Sequence, residues 1–179
     1  KVDFGMSGFT VTEERKQNVD FSTTYTTAKQ SVLVPADTAI VSVDDLLNAA
    51  EQKGEKPFII ICDEIEDPHN LGAIIRTAEA AGAHGVVVPR RRSVGLTGAV
   101  YKASAGAVEY VPVARVANIT DALKEMKKRG MWIYGLDMDG ENWCSTDLTG
   151  AMALVVGSEG RGVSRLVREN CDFVLSLPM

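Results

Sequence analysis

Cysteine, histidine and aromatic residues are scarce in this chain: three Cys, two His and 6% Phe, Trp and Tyr among 179 residues. The cysteines, Cys62, Cys144 and Cys171, are odd in number and scattered, with no CxxC pair and no Cys/His ligand spacing. His69 and His84 are too few for a His-based metal centre, so no metal site is expected. Unpaired thiols suit a reducing compartment and predict a cytoplasmic protein. No apolar run approaches the roughly 20 residues that cross a bilayer, and no basic, apolar leader opens the chain, so no membrane role is expected. The opening Lys1-Val2-Asp3-Phe4 reads as the middle of a domain and predicts a fragment. Internal repeats and low-complexity stretches are absent.

What is present is an ordinary globular composition, 45% hydrophobic and 24% charged, long enough for one good core. The net charge of −5 argues against non-specific nucleic-acid binding. Basic residues nevertheless cluster at Arg90-Arg91-Arg92 and at Arg161, Arg165 and Arg168. A nucleic-acid partner would therefore use a local patch, shared between subunits or not.

From residue 56 onward, short apolar runs alternate with helical periodicity. Strands are predicted at Phe58–Cys62, Gly85–Pro89, Tyr110–Val113, Trp132–Leu136, Ala151–Val156 and Phe173–Leu177. Helices are predicted at 43–51, 71–81, 118–129 (capped by Thr120-Asp121) and 164–169, while 102–108 is only small-residue-rich. Strands separated by helices imply βαβ units: an α/β fold with a mainly parallel sheet flanked by helices. Ligands bind beyond the carboxyl ends of such strands, which selects the loops at 63–70, 137–142 and 157–162. Residues 1–40 differ in texture, being hydroxyl-rich at 21–27 with a strand at Ser31–Pro35 and a linker at Pro35–Thr38. The domain boundary is placed there, giving segments 1–40 and 41–179.

Two constellations carry chemistry. In the first, a strand ends in the acidic loop Asp63-Glu64-Ile65-Glu66-Asp67, and Asn70 sits where it can cap the helix that follows. Arg76 interrupts the apolar face of that helix; it reads equally as a snorkelling surface residue or a partner of the acidic loop. In the second, the apolar run Leu154-Val155-Val156 enters Gly157-Ser158-Glu159-Gly160-Arg161-Gly162. Glycines let a ligand approach the backbone, but Glu159 would repel a phosphate, and neither a Gly-Lys-Ser/Thr ending nor GxGxxG is present. A cofactor with a positive centre suits this loop better.

Taken in order, Asn-x-Gly-x-x-x-Arg-Thr-Ala at Asn70–Ala78, Gly-Ser-Glu-Gly-x-Gly at Gly157–Gly162 and Leu-Pro-Met at Leu177–Met179 resemble the three motifs of the SpoU/TrmH (SPOUT) RNA methyltransferases. The resemblance covers about Val43–Met179. It implies a trefoil-knotted α/β domain, S-adenosylmethionine as methyl donor, a homodimer whose site uses both subunits, and 2′-O-methylation of an RNA ribose, in particular a 23S ribosomal RNA guanosine. By motif, Arg76 would activate the 2′-hydroxyl or hold the adjacent phosphate, Asn70 would position substrate and Glu159 would orient the catalytic groups. Gly135, Leu136, Gly157, Ser158, Gly160, Leu177 and Met179 would contact the cofactor, and Arg90, Arg91, Arg92 and Arg161 the RNA. The family's third motif continues past Pro-Met into a further helix, so an incomplete knot and weakened or absent turnover are expected here.

The front of the chain, Lys1–Leu46, is similar instead to a segment of periplasmic solute-binding proteins for polar amino acids. That resemblance implies that Thr10 and Arg15 would hold a ligand's α-carboxylate, with Gly8 lining the pocket. The two resemblances together predict an engineered or recombined chimera, with Ser42–Leu46 as its seam and, at the extreme, a purely structural role.

Overall fold

The computed structural model describes residues 42–178, together with Lys16 and Gln17. The readings at Thr10, Arg15, Gly8, Ser31–Pro35, the linker and Met179 lie outside the described residues. Helix α1 (Val43–Gln52) opens the described part with a capping box: the Ser42 hydroxyl accepts from the Asp45 N–H, and Asp45 accepts from the Ser42 N–H. Then follow β1 (Phe58–Cys62), α2 (Pro68–Ala80), β2 (Gly85–Pro89), α3 (Gly98–Ala103) and β3 (Val113–Val116). The second half contains α4 (Ile119–Lys128), β4 (Trp132–Asn142), β5 (Met152–Val156), α5 (Arg165–Glu169) and β6 (Phe173–Ser176). Single 3-10 turns occupy Ala107–Glu109 and Trp143–Ser145. Among the described residues no helix is long and apolar enough to cross a membrane.

All six strands are parallel, in the order β3-β2-β1-β5-β4-β6. The α/β architecture expected from the alternating pattern is therefore the one observed. Central strands are continuously apolar because both their faces are covered. Side chains alternate between faces. Ile59 and Ile61 pack with Leu46, Leu47, Leu123, Met126, Val163 and Val167 on one side. Ile60 and Cys62 pack with Leu71, Ile75, Ala78, Val100 and Val108 on the other. Every such helix presents one apolar stripe to the sheet, and burial of these side chains, at about 1.5–3 kcal/mol each, is the main stabilising contribution.

Several boundaries differ from the sequence expectation for local reasons. Tyr110 is 78% exposed and follows a 3-10 turn, so the third strand begins only at Val113. The small-residue stretch contains a helix, α3, that periodicity missed because it lasts six residues. It approaches α2 so closely that a Cβ on Gly72 would meet the Ala103 carbonyl carbon at 2.9 Å. The cap of α4 is Asn118, whose side chain accepts from the Thr120 N–H at 3.0 Å; Thr120-Asp121 lies inside the helix. Strand β4 runs on to Asn142, but its pairing with β6 skips from Leu136 to Glu141, so residues 137–140 bulge from the sheet.

Candidate active site

Strands β1 and β5 are neighbours, yet the chain leaves β1 towards β2 on one side and β5 towards β6 on the other. This reversal of strand order is where an open parallel sheet forms a crevice at its carboxyl edge. The two strand ends are tied together by Asp63. Its backbone N–H donates to the Val156 carbonyl at 2.8 Å, and its carboxylate, 4% exposed, accepts from the Ser164 N–H at 2.7 Å. One buried side chain thus fixes the entry to α2 relative to the exit of the glycine loop.

Helix α2 starts one turn earlier than its periodicity implied. Asp67, followed by Pro68 in the first helical turn, is the cap: its carboxylate accepts from the N–H groups of His69 and Asn70, both at 3.2 Å. Asn70 is therefore not the capping residue. Its amide is free to reach across the crevice, where Nδ2 donates to Glu159 Oε2 at 3.4 Å, the long end of hydrogen bonding.

The loop bearing Glu159 is a tight ring. Ser158 and Gly162 exchange backbone hydrogen bonds, N–H of Ser158 to O of Gly162 at 3.0 Å and the reverse at 2.8 Å. Gly162 has φ +65°, and a Cβ on Gly157 would overlap the Gly162 backbone. Glu159, Gly160 and Arg161 stand exposed at its tip. Together the two loops enclose a crevice of about 260 Å³ whose wall includes Glu64, Glu66, Asp67, Asn70, Glu159 and Arg161. Four carboxylates against Arg161 and the Arg92 that pairs with Glu64 leave it net negative, which suits a cationic ligand and disfavours a bare phosphate.

A second group of strand ends adjoins the first. The bulge at 137–140 lies beside the glycine loop, with the Asp137 carboxylate 3.7 Å from where a Gly162 Cβ would be. Arg168 of α5 clamps it, donating to Asp137 Oδ2 at 3.1 Å and Asp139 Oδ1 at 2.8 Å. The hydrogen bond from Arg168 holds the Asp139 carboxyl below the usual carboxylate range. Ser176 donates to the Gly140 carbonyl at 2.9 Å, joining the end of β6 to the same rim. Gly157, Ser158, Leu136 and Leu177 all lie at these strand ends. Gly135 lies one residue deeper, buried inside β4, where a Cβ would meet the Cys171 sulfur at 3.0 Å.

The other sequence-derived residues scatter along the rim. Arg92 is exposed and donates to Glu64 at 3.0 Å; both adopt left-handed backbone conformations, φ +56° and +55°. Arg91 is exposed, and Arg90 lies beside Arg115 at the end of β2. Arg76 is exposed on α2, absent from the crevice wall, and without a hydrogen-bond or ion-pair partner among the described residues. The structure thus unites Asn70, Glu159 and Arg161 but leaves Arg76 outside their crevice. Sequence reasoning missed Asp63, Asp67 and Arg168. Asp67-Pro68 carries a readable helix-start signature, whereas the partners of Asp63 and Arg168 lie 101 and about 30 positions away and leave no local trace.

Comparison with known proteins agrees with this geometry. The SpoU rRNA Methylase family model matches residues 57–179. The TrmH family tRNA/rRNA methyltransferase YacO of Bacillus subtilis (strain 168) is 57% identical over 138 residues, which are 76% of this chain and 55% of that protein. The chain thus spans about half the length of this relative. Among solved structures, the SpoU methyltransferase AviRb of Streptomyces viridochromogenes, in complex with AdoMet, superposes with a TM-score of 0.66 at 28% identity, covering 69% of this chain and 49% of that one. A TrmH-family RNA methyltransferase of Porphyromonas gingivalis gives 0.65 at 31% identity, covering 69% and 51%. None of these similarities supports the solute-binding resemblance of residues 1–46, and the chimera it implied is set aside. A parallel sheet whose β1 and β5 loops carry the first two motifs into one crevice, and a family match that runs through both, place the chain in the SpoU rRNA methylase family.

Proposed function

We propose that residues from about 41 onward form the catalytic domain of an S-adenosylmethionine-dependent methyltransferase acting on a ribose 2′-hydroxyl in RNA, a 23S ribosomal RNA guanosine in particular, in the cytoplasm. The observation that carries this reading is the meeting of Asn70 and Glu159 across the β1/β5 crevice. The residues present fit the cofactor: a glycine loop with open space at Gly160 adjoins a carboxylate-rich cavity that favours a sulfonium. When bound, the cofactor supplies an electrophilic methyl group. Backbone groups at Leu136, Gly157, Ser158, Gly160 and Leu177 hold it at the strand ends. Asn70 and Glu159 orient the ribose, whose hydroxyl must shed its proton as the new O–C bond forms. That step gains from in-line placement and from a group that lowers the hydroxyl's pKa.

Arg76 supplies that cationic assistance by gripping the phosphate beside the reacting ribose; a guanidinium stays protonated, which suits anchoring better than proton removal. Its exposure and lack of a partner, outside its own crevice, support a homodimeric site in which it serves the neighbouring subunit. Arg90, Arg91, Arg92 and Arg161 guide the RNA strand along the rim, and the trefoil knot of the family belongs to the same reading.

The test is transfer of labelled methyl groups to ribosomal RNA, followed by digestion to nucleosides. Label is expected in 2′-O-methylguanosine, and Arg76→Ala is expected to lower the rate about 100-fold or more with cofactor binding intact. Label on a base, or an Arg76→Ala protein as fast as the parent, overturns the assignment.

A further inference from the structure

Away from the crevice, the carboxyl ends of β2 and β3 open into a second cavity, of about 370 Å³. Arg90, Arg115, Asn118 and Asp121 line it. The two arginines are joined by reciprocal bonds: Arg90 Nε donates to the Arg115 carbonyl and Arg115 Nη2 to the Arg90 carbonyl, both at 3.3 Å. Neither is in an ion pair among the described residues. Among the described residues, Arg115 Nε is buried with no hydrogen-bond partner. A buried N–H of a charged group is costly to leave unpaired, and with no carboxylate paired to it this guanidinium gains from an anion held in the cavity it lines.

The surrounding charge favours an anion. Helix α4, ten residues long, begins at this wall, and Asn118 satisfies only the Thr120 N–H of its first turn. Asp121 is the single carboxylate in the lining, set against two guanidiniums. Fixed, planar donors of this kind match the oxygens of a phosphate. In contrast to the acidic crevice, this cavity suits a phosphate.

We propose that the Arg90–Arg115 cavity is a phosphate-binding subsite, and that the phosphate it takes is a backbone phosphodiester of the RNA whose target nucleotide lies in the crevice. The source of the phosphate rests on the RNA methyltransferase reading; the anion chemistry does not. Both cavities lie at the same edge of the sheet, two strand spacings apart in the order β3-β2-β1-β5, or roughly 10 Å. The loop after β2 bridges them. Arg92 donates to Glu64 at 3.0 Å, and the Val94 N–H donates to the Ile65 carbonyl at 3.0 Å, with Arg91 exposed between the two sites. A strand entering the crevice would cross this loop and reach the second cavity within a short run of nucleotides.

The proposal is tested by RNA binding across a salt series for the parent, Arg115→Gln, Arg90→Gln and Arg115→Lys, with calorimetry against S-adenosylmethionine and against inorganic phosphate. Each Gln variant is expected to weaken RNA binding about tenfold at low salt and to reduce the slope of log K against log salt by about 0.7. Cofactor affinity should be unchanged, and Arg115→Lys should keep most of the slope because it keeps the charge. Arg90→Gln gives up only one loop bond, so it reports even where Arg115→Gln unfolds. Slopes equal to the parent's in both Gln variants overturn the subsite. If the parent ignores RNA but binds inorganic phosphate in an Arg115-dependent way, the anion site stands and the RNA reading falls; if it binds neither, the site is overturned.

Discussion

A methyl group on Gly157 would have to displace the backbone of Gly162 and Val163, which are held by the paired hydrogen bonds of the loop. Gly160, three residues on, has open space where its Cβ would be. Gly157→Ala is therefore expected to cost about 1–3 kcal/mol by overpacking, and Gly160→Ala to stay within about 0.5 kcal/mol. Chemical denaturation of the two variants checks this, and equal losses would show that the loop is not a closed ring. The glycine-rich run and Glu159 were legible in the sequence, because few structures other than a tight strand-to-helix turn use so many glycines. Which glycine has no room was not, since that depends on an approach between two ends of the same loop. The same holds for Asp63, which reads as one more acidic loop residue until Ser164 is seen against it at 2.7 Å. Removing its carboxylate as Asp63→Ala leaves the Ser164 N–H unpaired, and a loss of about 1–3 kcal/mol in the same measurement is expected.

Among the elements, α2 and the β4 bulge do most to set the site. Asp67 accepts from two N–H groups of α2 and leaves Asn70 free to face Glu159. Asp67→Ala should cost about 1 kcal/mol of stability as a lost cap, while Asp67→Ser or Asp67→Asn should restore most of it. The bulge depends on the Arg168 clamp rather than on ladder pairing. Arg168→Gln is expected to weaken S-adenosylmethionine binding measured by calorimetry while lowering the melting temperature little. An unchanged affinity would remove the bulge from the cofactor rim. The sign of the pH effect follows from Asp139, whose carboxyl is held below its ordinary value by the Arg168 hydrogen bond. The clamp is complete above the ordinary carboxylate pKa of about 3.9 and is lost only as pH falls through the lower folded value. The helix from Val43 was legible as a helix, whereas the start of α2 was placed three residues late and the cap of α4 two residues late. The bulge was not legible, because a strand that skips four residues against its neighbour reads as loop.

At the scale of the whole molecule, alternation of apolar runs with helices made the parallel sheet legible, but not its order. The passage from β3 across to β4, and from β5 over β4 to β6, is set by packing between distant segments, for which a single sequence holds no period. That order puts Cys62 at the end of a central strand, fully buried, with its thiol pushed up to about 12 by desolvation. Cys171 is pushed up to about 11 for the same main reason, while Cys144 is exposed. Only the thiolate reacts with an alkylating agent, and at about pH 8 a thiol of pKa about 12 ionises in roughly one molecule in ten thousand. Labelling is therefore expected in the order Cys144, Cys171, Cys62, with Cys62 modified only when the sheet opens. Its rate should then track global unfolding and rise steeply with denaturant. A ligand that binds the folded sheet edge must slow that opening by one plus the ratio of its concentration to its Kd, about 100-fold at 100 times Kd. Mass spectrometry of Cys62 with and without S-adenosylmethionine measures this directly. Protection of Cys62 without change at Cys144 is expected, whereas equal rates with and without the cofactor would mean that it does not bind the folded domain at all.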